Sequence, residues 1–229
     1  MEKYKRIGIV GGVSPQSTVL FYRKIIKKHF EKNKDQYYPE IVTFSVNFDR
    51  IKDYQKKSDQ MQYINEFVTA INALERAGVD FAVIASNTPH RVFEEVEKRT
   101  NTKLLSIISC VADYASKHKF KKVLLLGTMH TMKEDFYKRG LKNNGVEAIV
   151  PSDADQEAIN DIIFSELALG ELKVESKLKL MDIIEKNPAD AVILGCTELP
   201  LLLKKEDMET PIIDSTDIFA EATLNYAIV

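Results

Sequence analysis

Short, mostly apolar runs recur along the chain at 7–10, 41–46, 81–85, 104–108, 123–126, 146–150, 191–194 and 211–213. Runs of this length suit strands covered on both faces, as in a parallel sheet. The run at 146–150 is the weakest, because Glu147 interrupts it. Between the runs the spacing becomes helical. Over 60–77, Met61, Ile64, Phe67, Val68, Ile71 and Leu74 fall at i, i+3, i+4 and i+7, and Gly78 is placed to stop the helix. Further helices are expected over 17–30, 90–99, 111–118, 133–142, 155–169 and 176–186. Alternating strand and helix predicts an α/β fold, doubly wound around parallel sheets.

The pattern also repeats. Ile7-Gly8-Ile9-Val10-Gly11 runs on to Phe21-Tyr22-Arg23, and Val123-Leu124-Leu125-Leu126-Gly127 runs on to Phe136-Tyr137-Lys138. The segment from Asp80 to Asn87 is echoed from Asp190 to Thr197, and Leu104-Leu105-Ser106 is echoed by Ile212-Ile213-Asp214. Three echoes in one order predict two pseudo-symmetric lobes with an active site in the cleft between them. The third echo lies near the chain end, which suggests a return to the first lobe. The expected division is therefore 1–108 plus 211–229 for the first lobe and 109–210 for the second.

Ligands of open parallel sheets bind beyond the carboxyl ends of the strands. Here those ends lead into Gly11-Gly12-Val13-Ser14, Asn47-Phe48-Asp49-Arg50, Ser86-Asn87-Thr88, Gly127-Thr128-Met129-His130-Thr131 and Gly195-Cys196-Thr197-Glu198. Cys196 carries the sharpest chemistry. It stands where a helix should begin, and there the macrodipole and free amides favour a thiolate that acts as base or nucleophile. Ser86 holds the matching place in the other lobe and can donate a hydrogen bond, relay a proton or cap a helix. Asn87, Thr88, Thr128, Thr131 and Thr197 are small donors able to hold a carboxylate or to cap helices. Arg50 has the donor fork to clamp a second carboxylate. His90 and Glu198 stand close enough in sequence to orient their neighbours. A Ser86–His90 hydrolase is disfavoured, because no GxSxG elbow is present.

Composition narrows the partners. Hydrophobic residues make up 45% and charged residues 29%, so the chain has enough apolar material for a globular core. A net charge of −2 gives no field for nucleic acid or an anionic membrane. The basic stretch 24–34 reads as a solvated helix end, and His29 and His118, in lysine-rich helix ends, are expected at the surface. Two cysteines, Cys110 and Cys196, make neither a disulfide framework nor a zinc site, and Cys110 falls in a core-facing pattern. The start of the chain has no signal-peptide pattern, and no apolar run reaches membrane-spanning length, so a cytoplasmic setting is expected. Gly8, Gly11 and Gly12 do not form GxGxxG, and there is no Walker loop.

Four segments resemble the aspartate/glutamate racemase family: IGIVGGVSPQST from Ile7, SNTPH from Ser86, LLGTMHTMKEDFY from Leu125 and GCTELPLLL from Gly195. Their order and their spread over nearly the whole chain make the resemblance specific. It implies an amino-acid racemase that uses no cofactor and no metal, with two lobes and a homodimeric assembly. It implies Cys196 as acid or base on one face of the substrate and Ser86 on the other. Asn87, Thr88, Thr128, Thr131 and Thr197 would hold the α-carboxylate, Ser14 and Gln16 would line the pocket, and Arg50 would meet an acidic side chain. The sequence departs from the family at Ser86, where aspartate racemases carry a cysteine. With one good base, slow or direction-biased racemisation is expected. A decarboxylase-like enzyme with one cysteine and a degenerate amino-acid binder are the alternatives.

Overall fold

The computed structural model describes residues 4–229. The chain forms β1 (Ile7–Gly11), α1 (Pro15–Asn33), β2 (Ile41–Ser45), α2 (Phe48–Lys56), α3 (Gln60–Arg76) and β3 (Phe81–Ile84). A 3-10 turn at Thr88–Val92 leads into α4 (Phe93–Lys98), followed by β4 (Leu104–Leu105) and α5 (Ile107–Lys117). The second half forms β5 (Lys122–Gly127), α6 (Met129–Lys133), α7 (Asp135–Asn143), β6 (Glu147–Ile149), α8 (Asp153–Ser165), α9 (Val174–Lys186), β7 (Ala191–Gly195), α10 (Leu199–Leu202), β8 (Ile212–Asp214) and α11 (Ser215–Ala227). None of the helices among the described residues is long and apolar enough to cross a membrane.

Two parallel four-stranded sheets result, ordered β2-β1-β3-β4 and β6-β5-β7-β8. The order is the same in both, so the sequence echoes correspond to equivalent strands. In the first sheet Val10 aligns with Phe44 on one side and Ile84 on the other. In the second, Leu126 aligns with Leu194, and Leu194 with Asp214. The parallel register brings the loops after β1, β2 and β3 to one end of the first sheet, and those after β5 and β7 to one end of the second. Strands β1, β3 and β7 are buried along their whole length. Helices on both faces account for their continuous apolar runs. Edge strands β2 and β6 alternate or open to solvent, which is why Glu147 is tolerated.

Each unit has its own core. In the first, Phe67, Ile71 and Leu74 of α3 pack with Val10, Ile84 and Leu104. In the second, Ile159, Ile163, Leu180 and Ile183 of α8 and α9 pack with Leu124, Leu126, Val192 and Leu194. Burying each such side chain contributes about 1.5–3 kcal/mol.

The structure changes several expected boundaries. The chain divides into residues 4–107 with Phe219–Val229, and Ile108–Ile218. The return to the first unit therefore comes inside α11 rather than at 211, because β8 completes the second sheet beside β7. The apolar run 104–108 yields only two strand residues. Ile107 and Ile108 already belong to α5, whose buried Val111, Ala112 and Ala115 continue a helical stripe. Helix α2, read as a loop from the sequence, is started by Asn47, whose Oδ1 accepts from the amides of Asp49 and Arg50 at 2.9 and 3.1 Å. The segment around 133–142 divides into α6 and α7. His29, expected at the surface, is fully buried, since it continues the inward spacing of Phe21 and Ile25 on α1. Its Nε2 lies 2.8 Å from Asp35 Oδ1 and its Nδ1 3.2 Å from the Tyr4 hydroxyl. The amide of Tyr37 and the His29 ring hold the Asp35 carboxyl below the usual carboxylate range.

Candidate active site

In the first unit the loop after β1 is built around Thr18. The Gly12 amide donates to Thr18 Oγ1 at 2.8 Å, and that hydroxyl donates to the Ser14 carbonyl at 3.0 Å. A Cβ on Gly11 would lie 2.2 Å from the Thr18 methyl, so only glycine fits there. Ser14 caps α1, its Oγ accepting from the Ser17 amide at 3.3 Å. Gln16 lies in the first turn of α1 and is exposed.

The loop after β3 carries Ser86, half-buried, and Asn87, buried, with Thr88 opening the 3-10 turn. His90 fixes this loop from beneath. Its Nδ1–H donates to the Ser86 carbonyl at 2.9 Å, while its Nε2 accepts from the Ile107 amide at 3.1 Å. One nitrogen donates and the other accepts, which specifies a neutral ring and one tautomer. The ring stacks on Phe93 with centroids 5.1 Å apart. Burial pushes the His90 imidazolium down to about 4, against the opposing pull of its bonds to Ser86 and Asn87. His90 therefore positions the Ser86 loop and has no nitrogen left for proton transfer.

Arg50 lies on α2, beyond the carboxyl end of β2, and is mostly solvent-facing. Its Nη2 meets Glu66 Oε1 of α3 at 2.8 Å, with the Glu66 side chain only 12% exposed. The sequence pointed to the arginine and gave no sign of its partner.

In the second unit Cys196 follows β7 and is 8% exposed. Its thiol donates to Glu198 Oε2 at 2.9 Å, and the Thr197 hydroxyl donates to the same oxygen at 2.6 Å. Burial first, and then the Glu198 carboxylate, push the Cys196 thiol well above its ordinary range. The backbone amides of Thr197 and Glu198 face the sulfur and pull the other way. This reverses the thiolate expected from the sequence. The following helix α10 is a single turn, Leu199–Leu202, too short to offset burial beside a carboxylate.

Thr128 and Thr131 sit at the end of β5 with hydroxyls 3.2 Å apart. Thr131 is fully buried, and its methyl fills the space a side chain on Gly127 would need, as Thr18 does beside Gly11. Two supports were not apparent from sequence. Asn160 Oδ1 of α8 accepts from the Met129 amide at 3.0 Å, and the buried Ser215 hydroxyl donates to the Leu194 carbonyl at 2.8 Å. Neither lies near a motif. His130 pairs with Glu134 one turn on, at 2.7 Å. Cys110 is partly buried, and burial pushes its thiol up to about 11. Among the described residues no group of three or more His, Cys, Asp or Glu is placed to hold a metal ion.

The structure thus gathers Ser14, Arg50, Ser86, Asn87 and Thr88 at the carboxyl end of one sheet. Thr128, Thr131, Cys196, Thr197 and Glu198 gather at the carboxyl end of the other. The Asp/Glu/Hydantoin racemase family profile matches residues 10–223. The broad specificity amino-acid racemase RacX of Bacillus subtilis (strain 168) is 30% identical over 224 residues, covering 96% of each chain. A solved aspartate racemase homologue from Pyrococcus horikoshii OT3 superimposes with a TM-score of 0.87 at 40% identity, covering 97% of this chain and 99% of that one. The Picrophilus torridus aspartate racemase superimposes with a TM-score of 0.76 at 26% identity, over 97% and 94% of the two chains. The chain is a member of the Asp/Glu/hydantoin racemase family.

Proposed function

We propose that the protein is a cofactor-independent amino-acid racemase in which Cys196 and Ser86 serve the same α-carbon. The observation that carries this reading is the Cys196 thiol bonded to Glu198 at 2.9 Å, with two backbone amides facing the sulfur. Glu198 is an acceptor for the thiol proton. Once it takes that proton, the thiolate can remove the α-proton of the substrate and become a thiol again. The carbanion is then protonated on its other face from the Ser86 hydroxyl or a water held there, which gives the opposite enantiomer, and the proton taken by Glu198 is returned through solvent to the alkoxide or hydroxide left behind. Asn87, Thr88 and Thr128, with Thr131 supporting Thr128, supply donors for the α-carboxylate as it takes on enediolate charge, while the Thr197 hydroxyl holds Glu198. Ser14 and Gln16 belong to the first loop of the pocket. Since Ser86 is a poorer base than a cysteine, α-proton exchange is faster from the enantiomer whose proton faces Cys196.

The substrate in this reading is an α-amino acid. An acidic side chain is what Arg50 alone supports; its ion pair with Glu66 weighs against that. Family resemblance also supports a homodimer, and a net charge of −2 supports no nucleic-acid or anionic-membrane partner. A second reading draws support from the raised thiol: Cys196 as the proton donor of a decarboxylase-like enzyme that protonates an enolate from one face.

The test is α-proton exchange in D2O followed by NMR, with both enantiomers of alanine, aspartate and glutamate. Wild type is expected to exchange one enantiomer faster than the other, and Cys196→Ala to lose at least about 10²-fold. No exchange from any of these substrates removes the racemase reading. Decarboxylation of an α-substituted malonate, dependent on Cys196, establishes the second.

A further inference from the structure

We infer that Glu66 is a specificity-determining residue, one that turns the site toward amino acids whose side chains carry no carboxylate. The proposal presupposes the racemase reading of the same site. Arg50 stands beyond the carboxyl end of β2, next in the sheet to β1 and its glycine loop, and in the proposed reading it is the cation that an acidic side chain would meet. That cation already has a carboxylate. Glu66 Oε1 lies 2.8 Å from Arg50 Nη2.

The two partners are unequal. The Glu66 side chain is 12% exposed and that of Arg50 59%, so the carboxylate is the anchored member and the arginine reaches back to it. Glu66 is carried on α3 between the buried Tyr63 and Phe67, which hold this stretch of the helix against the core. The first turn of α2 is fixed as well, because Asn47 caps the Arg50 amide at 3.1 Å. A carboxylate this buried cannot easily release its cation, since an unpaired charge there loses both water and partner. An acidic substrate would therefore have to share the guanidinium with Glu66, and the two negative charges would repel. A side chain without a carboxylate meets a neutral ion pair and no such repulsion. Arg50 alone would suit an acidic side chain, and Glu66 offsets it.

The experiment compares kcat/KM for L-alanine and L-aspartate, by α-proton exchange, in wild type, Glu66→Gln and Glu66→Asp. Glutamine keeps the size and the hydrogen bond without the charge. Aspartate keeps the charge and shortens the reach, so it loosens the pairing with Arg50 and serves as the test if the glutamine variant fails to fold. Wild type is expected to favour alanine. Glu66→Gln should shift the ratio toward aspartate at least 10-fold, chiefly through a lower KM for aspartate, and Glu66→Asp should shift it the same way by less. A wild-type preference for aspartate, or a ratio unmoved in the folded variants, overturns the proposal. Calorimetric titration with L-aspartate separates this outcome from failure of the racemase reading. Should no variant catalyse exchange, Glu66→Gln must still bind aspartate at least 10-fold more tightly than wild type, and equal affinity overturns the role of Glu66.

Discussion

Cys196 and Glu198 form the pair on which the proposed chemistry turns. The carboxylate raises the thiol by its charge and by accepting its hydrogen bond, on top of the larger effect of burial. Glu198→Gln removes the charge and leaves burial in place. The expected result is a Cys196 thiolate that forms at lower pH, read as faster alkylation by iodoacetamide at a fixed, mildly alkaline pH. Catalysis should move the other way, with α-proton exchange falling at least about 10²-fold, because the thiol proton has lost its acceptor. Alkylation and exchange moving in the same direction would remove Glu198 as acceptor. The raised thiol also has a stability sign. The folded state favours the protonated form, so this contribution is complete below the unfolded thiol pKa of about 8.5 and fades as pH climbs above it.

At the scale of elements, His90 joins the 3-10 turn after β3 to the first turn of α5. It donates to the Ser86 carbonyl and accepts from the Ile107 amide. An imidazolium could not accept from that amide, so protonation breaks the link. The unfolded value is about 6.5 and the folded value about 4, so the stabilisation is complete above pH 6.5 and is lost as pH falls toward 4. The difference corresponds to about 3 kcal/mol. Urea melts at pH 7 and pH 4 should show wild type losing about 3 kcal/mol more over this interval than His90→Gln, although the variant starts less stable. Equal losses would show that His90 does not titrate in this window. Sequence spacing placed His90 near Ser86, and it could not reveal Ile107 as the second partner, 17 residues away.

The whole molecule is built by duplication of one sheet order, with the chain leaving the first unit and returning to it. Phe219 belongs to the first unit although 111 residues of the second precede it in the chain, from Ile108 to Ile218. It is fully buried, with its ring 5.3 Å from that of Phe21 and 6.2 Å from that of His90. Phe219→Ala should cost about 3–5 kcal/mol, and limited proteolysis should then cut first within residues 4–107. Cleavage appearing first in 108–218 would show that the returning segment does not stabilise the first unit.

Eight strands, most of the helices and the repeat were legible in the sequence, because buried central strands such as β3 and β7 must be apolar throughout and helices such as α3 must keep one apolar stripe. The loops bearing Ser86 and Cys196 were legible as well, since a parallel sheet fixes which ends of its strands can bind. Local chemistry set those features, and local order along the chain preserves them. Tertiary structure alone decided the rest. Glu66 follows Arg50 by 16 residues and no spacing rule joins them. Asn160 and Ser215 reach the site loops from distant helices. The protonation of Cys196 was inferred from a helix N-terminus, yet it depends on how completely water is excluded and which way one carboxylate points. Pairing, burial and the resulting charge states depend on contacts made only when the chain has folded.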